Sequence, residues 1–319
     1  MQTAPPVNYL GAIIFWSYNV AALGLTAIVA HTLASQQPPH DGIHERRRRL
    51  TGHFSALAAV SFSTLSFNML NVLVQSYTQW SKRVPSSYDR NHRSTLNRIW
   101  TWSITSTLFR DFGEAIVADQ ARYLWVLSAL FATYSVCSYM GVEGRRRKIP
   151  RLWAFFALSQ ILPISFAQNL FYIALIRQPR RDQPVDVRSL PSAVVLVVYS
   201  LGLSVATRSA QTPALVALII VARLLLFAQF SLVKTGTGTT KHTASRRLQT
   251  PLIVAGLLTV RQTYLALQEN SPTDIGMALV GHPAVSALGI DLINSALSFA
   301  AWSYSGQTGE DIPADSKKK

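Results

Sequence analysis

Residues 9–33 read YLGAIIFWSYNVAALGLTAIVAHTL, a run with no Asp, Glu, Lys or Arg. At about 1.5 Å per residue, a helix of this length covers the ~30 Å hydrocarbon core of a bilayer. Similar apolar runs recur at about 53–76, 122–142, 152–176, 190–207, 211–233, 251–268 and 283–304. Pro150, Pro191, Pro213, Pro251 and Pro283 fall near the starts of these runs, where the missing N–H costs little. The pattern predicts an all-α, polytopic transmembrane bundle of about eight spans (seven to nine), with residues 1–319 forming a single multi-pass domain. Tyr9, Tyr77, Trp80, Tyr123, Trp153, Trp302 and Tyr304 mark run ends, as in interfacial aromatic belts.

Composition narrows the class further. Charged residues make up 14% of the 319, against roughly 25% in soluble domains. A formal net charge of +15 invites a nucleic-acid reading. The basic residues lie mostly in short segments between apolar runs, where they orient a membrane protein, so the expected partner is the bilayer and not nucleic acid. The lone Cys137 excludes a disulfide scaffold. No cleavable signal is expected, because the first apolar stretch is too long for an h-region. These features point to insertion in the endoplasmic reticulum. The Lys/Arg distribution puts Lys317-Lys318-Lys319 in the cytosol and leaves the N-terminal orientation open. Residues 95–118 carry apolar side chains interrupted by Arg110, Asp111 and Glu114, a pattern for an interfacial segment or one buried by protein. The sequence carries no signal for an oligomeric state.

Polar residues inside the runs fall into three stripes. Thr64, Asn68, Asn71 and Gln75 share a face of the second run. Ser165, Gln168, Asn169 and Tyr172 share one of the fourth, just after a kink expected at Pro163. Asp291, Asn294, Ser295, Ser298 and Trp302 share one of the last. Such stripes either line a common cavity or serve as interhelical hydrogen-bonding glue. Asp291 lies near mid-membrane, where a carboxyl needs a partner or stays protonated. Protonated, it is a candidate acid, and Arg223 and Arg261 are candidate partners for an ionised form. Asp111 and Glu114, at i and i+3, are candidate carboxylates of second rank.

Other chemistries are excluded by motif. DDxxD, DxDD, Walker A and strand-borne GxGxxG sequences are absent, and seven scattered histidines form no oxygenase box. His40, His44 and Glu45 lie in a Pro-flanked polar stretch and make a weak metal signal. Neither a metal nor an organic cofactor is expected.

The runs Glu143-Gly144-Arg145-Arg146-Arg147-Lys148-Ile149-Pro150, Leu152-Trp153-Ala154-Phe155-Phe156 and Gln160–Leu170, with His282–Gly289 and Asp291, resemble a fungal integral-membrane family. Members of that family are terpene cyclases of meroterpenoid biosynthesis, of the ascofuranone and macrophorin kind. The resemblance covers most of the chain in helix layout and about a fifth of it in specific wording. It implies a cyclase that protonates an epoxide or terminal olefin of a farnesylated aromatic and closes rings without redox change. The site expected on that reading has Asp291, then Glu114 and Asp111, as acids. Asn68, Asn71, Gln168, Asn169, Tyr172, Asn294 and Trp302 would hold a prenylated phenolic or epoxy-farnesyl substrate. The rival reading is a transporter for a hydrophobic metabolite, in which the same stripes line a path.

Overall fold

The structure is a computed structural model describing residues 7–36, 44–83, 94–178, 185–187, 189–212, 214–235 and 243–305. Its helices are α1 (Tyr9–Ser35), α2 (His44–Arg83), α3 (Thr95–Thr105), α4 (Leu108–Ile116), α5 (Gln120–Arg146), α6 (Leu152–Ile161), α7 (Ile164–Arg177), α8 (Ser189–Ser204), α9 (Ala214–Leu232), α10 (Thr243–Glu269), α11 (Pro272–Gly281) and α12 (Pro283–Tyr304). A short antiparallel pair, β1 (Val185–Val187) with β2 (Val233–Thr235), ties the segment before α8 to the end of α9. α1, α2, α5 and α12 are long and apolar enough to cross a membrane, and α6 and parts of α8 and α9 are shorter apolar helices. The chain is thus a helical membrane protein. His40, residues 236–242 of the loop and the terminal lysines lie outside the described residues.

Hydrogen bonds between helix ends order the bundle along its axis. At one end, Arg177 donates to the carbonyl of Leu33 and Arg147 to that of Leu175, while Arg151 meets His31 and Thr32. Arg46 donates to the carbonyl of Ser305 there. This basic end gathers the finish of α1, α5, α7 and α12 and the start of α2 and α6. At the opposite end, Asn8 bonds to Ile104 and Ser106, Arg110 reaches Gln211, and Gln262 holds Gln120.

The apolar run at 152–176 is not one kinked span. Leu162 and Pro163 are both extended, and α6 and α7 fold back on each other. Phe155 and Phe171 stack edge to face with centroids 5.8 Å apart, whereas 16 residues of a straight helix would separate them by about 24 Å. Both outer ends meet the last turns of α1 at the basic end, and the tip, Ile161, meets Tyr18 halfway down that helix. The segment is therefore a re-entrant helical hairpin that enters and leaves by the same end. Proline is the physical reason: it lacks the N–H that a continuing helix needs, and its ring disfavours helical backbone at Leu162. The turn into the hairpin is equally tight. Lys148 (φ 53°) and Arg151 (φ 50°) take left-handed backbone, and a Cβ on Gly144 would overlap the Leu152 side chain.

Residues 95–118 resolve into α3 and α4. They brace α1 and α2 at the opposite end through Trp16 to Ser103, Trp80 to Thr105 and Trp102 to Ser76. A cavity of about 370 Å³ lies between α1, these two helices and the start of α9. Apart from its N-terminal Ser271–Asp274 capping box, α11 has little sequence signature, because its ten residues are too few to show a period.

Candidate functional site

A helix broken inside a membrane leaves backbone groups that water cannot reach, so protein must satisfy them. At the hairpin tip two distant helices do so. Tyr18 of α1 donates its phenol to the carbonyl of Ile161, at the end of α6. Asp291 of α12 receives the two N–H groups that open α7: Ile164 at 2.8 Å on Oδ2 and Ser165 at 3.0 Å on Oδ1. The Ser165 hydroxyl adds a third bond to Oδ1 at 2.5 Å. Asp291 therefore caps a helix from another helix 126 residues away, in the position where helix N-termini bind anions. Its four acceptor positions are unequally used. Oδ1 takes two donors and Oδ2 one, so one lone pair of Oδ2 has no partner among the described residues.

The three stripes do converge here. Asn294 donates to Thr64 at 3.2 Å, linking α12 to α2. Gln168 accepts from Ser295 at 2.5 Å and donates to the Tyr172 hydroxyl at 2.7 Å. Asn169 donates to Ser298 at 2.9 Å and to the carbonyl of Ser165. Trp302 donates to Tyr139 and lies parallel to Tyr172, with centroids 4.5 Å apart. Phe54 packs edge-on against both rings. Gln168, Asn169, Tyr172, Ser298 and Trp302 are almost wholly buried, so this part of the stripes is hydrogen-bonded glue packed side chain on side chain. One acceptor, the Oδ1 of Asn169, is buried without a partner.

Other expected residues lie elsewhere. Asn68 is buried but bonds only to its own helix, at the carbonyl of Thr64. Asn71 is exposed, because the hairpin reaches only halfway and no α7 residue lies at its level. Glu114 is bound to Arg110 at 2.7 Å and exposed Asp111 accepts from Thr107, so neither carboxylate bonds to Asp291. Arg261 is exposed on α10 beside Gln262, near the opposite end. Arg223 of α9 is half-buried, and its charge acts on Asp291 without an ion pair forming between them.

The sequence shows Asp291 and Ser165, but their union depends on a chain reversal. A Pro flanked by a polar stripe within an apolar run was its only available signal. Among the described residues, no three His, Cys, Asp or Glu side chains come together to hold a metal ion. No protein-family model, curated protein or solved structure matches this chain.

Proposed function

We propose that this chain is a membrane-bound cyclase of prenylated phenolic or epoxy-farnesyl substrates, working from the tip of the re-entrant hairpin. The observation that carries the reading is the carboxyl of Asp291, held within the membrane by three donors and left with one free acceptor position. A prenyl chain dissolves in the bilayer, so a site at this depth meets its substrate where the substrate already resides.

On this reading the protonated carboxyl delivers its proton to the epoxide oxygen, breaking a C–O bond, or to the terminal olefin carbon. Successive π bonds then close rings. The last cation loses a proton, or captures a substrate hydroxyl that releases its proton, and the carboxyl is restored. Mass is unchanged and no oxidant is needed. The three anchoring bonds hold the acid in orientation. Aromatic faces stabilise developing cations, although Tyr172 and Trp302 stack on each other, and Trp16 and Phe67 are exposed.

The same reading includes an orientation. Residues 46–49, 145–151, 177–188, 234–247 and 317–319, all in segments at or following the basic end, hold 20 of the 30 Lys and Arg. The opposite end holds eight. This asymmetry supports a cytosolic basic end, seven crossings (α1, α2, α5, α8, α9, α10 and α12) plus the hairpin, and insertion in the endoplasmic reticulum.

A second reading, transport of a hydrophobic metabolite, is favoured by one observation, the discontinuous intramembrane segment α6–α7, since broken helices build many transporter sites. One experiment separates the two. Microsomes bearing the chain are given an epoxyfarnesyl phenol. Cyclisation yields an isomer of unchanged mass that D291N abolishes, whereas protein-dependent accumulation of unaltered compound in sealed vesicles would replace the cyclase with the transporter.

A further inference from the structure

An arginine in the middle of a membrane helix is costly unless something takes its hydrogen bonds. Arg223 stands halfway along α9, which packs against α5 and α6. Among the described residues it has no hydrogen bond, ion pair or ring partner, yet it is half-buried and not turned out to lipid. Its charge acts on Tyr18 of α1, Cys137 of α5, Tyr199 of α8 and Asp291 of α12. Groups on four helices thus surround one unpaired guanidinium, and two of them, Tyr18 and Asp291, are those that seal the hairpin tip.

An unused acceptor lies in the same neighbourhood. Gln160, one residue before the end of α6, donates through Nε2 to Cys137 Sγ at 3.4 Å and to Ser159 Oγ at 3.1 Å. Its Oε1 is buried with no hydrogen-bond partner. A buried acceptor without a donor costs about 1–3 kcal/mol, as does a buried donor without an acceptor. Both costs vanish together if a ligand brings a group that accepts from the guanidinium and donates to the amide oxygen. A hydroxyl does both, and a phenolic hydroxyl does both while offering a flat ring to the guanidinium plane.

We infer that Arg223 and Gln160 form a binding site for the phenolic hydroxyl of a lipophilic ligand, with Arg223 donating to the phenol oxygen and the phenol O–H donating to Gln160 Oε1. The inference rests on the proposed function in naming a phenol, and it adds the residues that choose it. The head is held beside α9 while the prenyl chain folds back to Asp291, which is the folded shape that ring closure requires.

The test reads binding and not turnover. The full chain is purified into nanodiscs and titrated with a farnesylated phenol and with its O-methyl ether, which cannot donate. Wild type is expected to bind the phenol about tenfold or more tightly than the ether, the scale of a lost hydrogen bond to a charged group. R223Q should bind both as weakly as wild type binds the ether, and Q160L should narrow the preference as well. Because nothing in the protein pairs with Arg223, R223Q should also melt no lower than wild type. An unchanged phenol preference in R223Q would overturn the site. So would a variant that melts several degrees lower or fails to accumulate, since the guanidinium would then be structural. Binding with this preference but no isomer formed would remove the cyclase and keep the site. Isomer formed without dependence on Arg223 would do the reverse.

Discussion

α1 and α7 are neighbours with opposite surroundings. α1 has the cleaner membrane signature, yet only four of its 27 residues are buried. α7 carries Ser165, Gln168, Asn169 and Tyr172, and 12 of its 14 residues are buried. In a soluble domain the more polar helix would lie outside. Here lipid accepts apolar side chains as readily as a core does, so what must be buried is whatever can hydrogen-bond. The polar stripe, and not the apolar run, marks the centre of the molecule.

The sharpest way to break this comparison is D291N. Asn can accept from one N–H of α7 but turns an amide NH₂ toward the other, so the cap is half lost. If Asp291 is the acid, turnover falls by about 10²–10⁴-fold, while the unpaired donor costs only about 1–3 kcal/mol of stability. A stable D291N protein with wild-type turnover would reduce the residue to a cap. Phe171→Ala comes next: this fully buried ring packs on Phe155 and Tyr139. Its loss is expected to cost about 3–5 kcal/mol, against less than about 0.5 kcal/mol for Leu23→Ala on the exposed face of α1. Equal losses in a detergent-melt comparison would mean that α1 is packed as tightly as the hairpin.

A smaller effect sharpens the same contrast between amides. Gln168→Leu removes the bonds to Ser295 and Tyr172 and strands their hydroxyls, for about 1–3 kcal/mol. Asn71→Leu, on an exposed face, should be neutral within about 0.5 kcal/mol. The smallest effect is pH-dependent. His282 caps α12 by accepting from the N–H of Ala284 at 3.2 Å. Burial first, then the charge of Arg122, pushes its pKa below the ordinary 6.5. The unfolded chain therefore takes up a proton first, so this contribution is full above about pH 6.5 and fades as pH falls below it. His282→Asn keeps a capping acceptor and should flatten the dependence of melting temperature on pH between 7 and 5. An unaltered slope would assign that dependence to another group.

Hydropathy made α1, α2, α5 and α12 legible, since length and charge exclusion are properties of the run itself. It could not reveal the hairpin, because counting apolar residues over 152–176 is indifferent to whether the chain goes straight or turns back. Pro163 was read as a kink, and the reversal depends on Leu162 adopting an extended backbone. The stripes on α7 and α12 were legible from helical spacing, and their partners were not. Asp291 pairs with backbone amides, which every residue except proline possesses and no sequence advertises. Asn71 fitted the stripe by rotation but failed by depth, a coordinate that periodicity does not contain.

The cap on α7 also dictates an order of synthesis. Chains emerge from the ribosome N-terminus first, so Ile164 and Ser165 are made well over a hundred residues before the carboxyl that receives their N–H groups. α6 spans only about 15 Å and cannot cross a bilayer by itself. During that interval the hairpin must shelter against α1, α2 and α5 with two amides unmet, and closure waits for the final helix. A ribosome that stalls before codon 291 leaves a nascent protein whose helix break is visibly open, a built-in mark by which membrane quality control can tell an unfinished copy from a complete one.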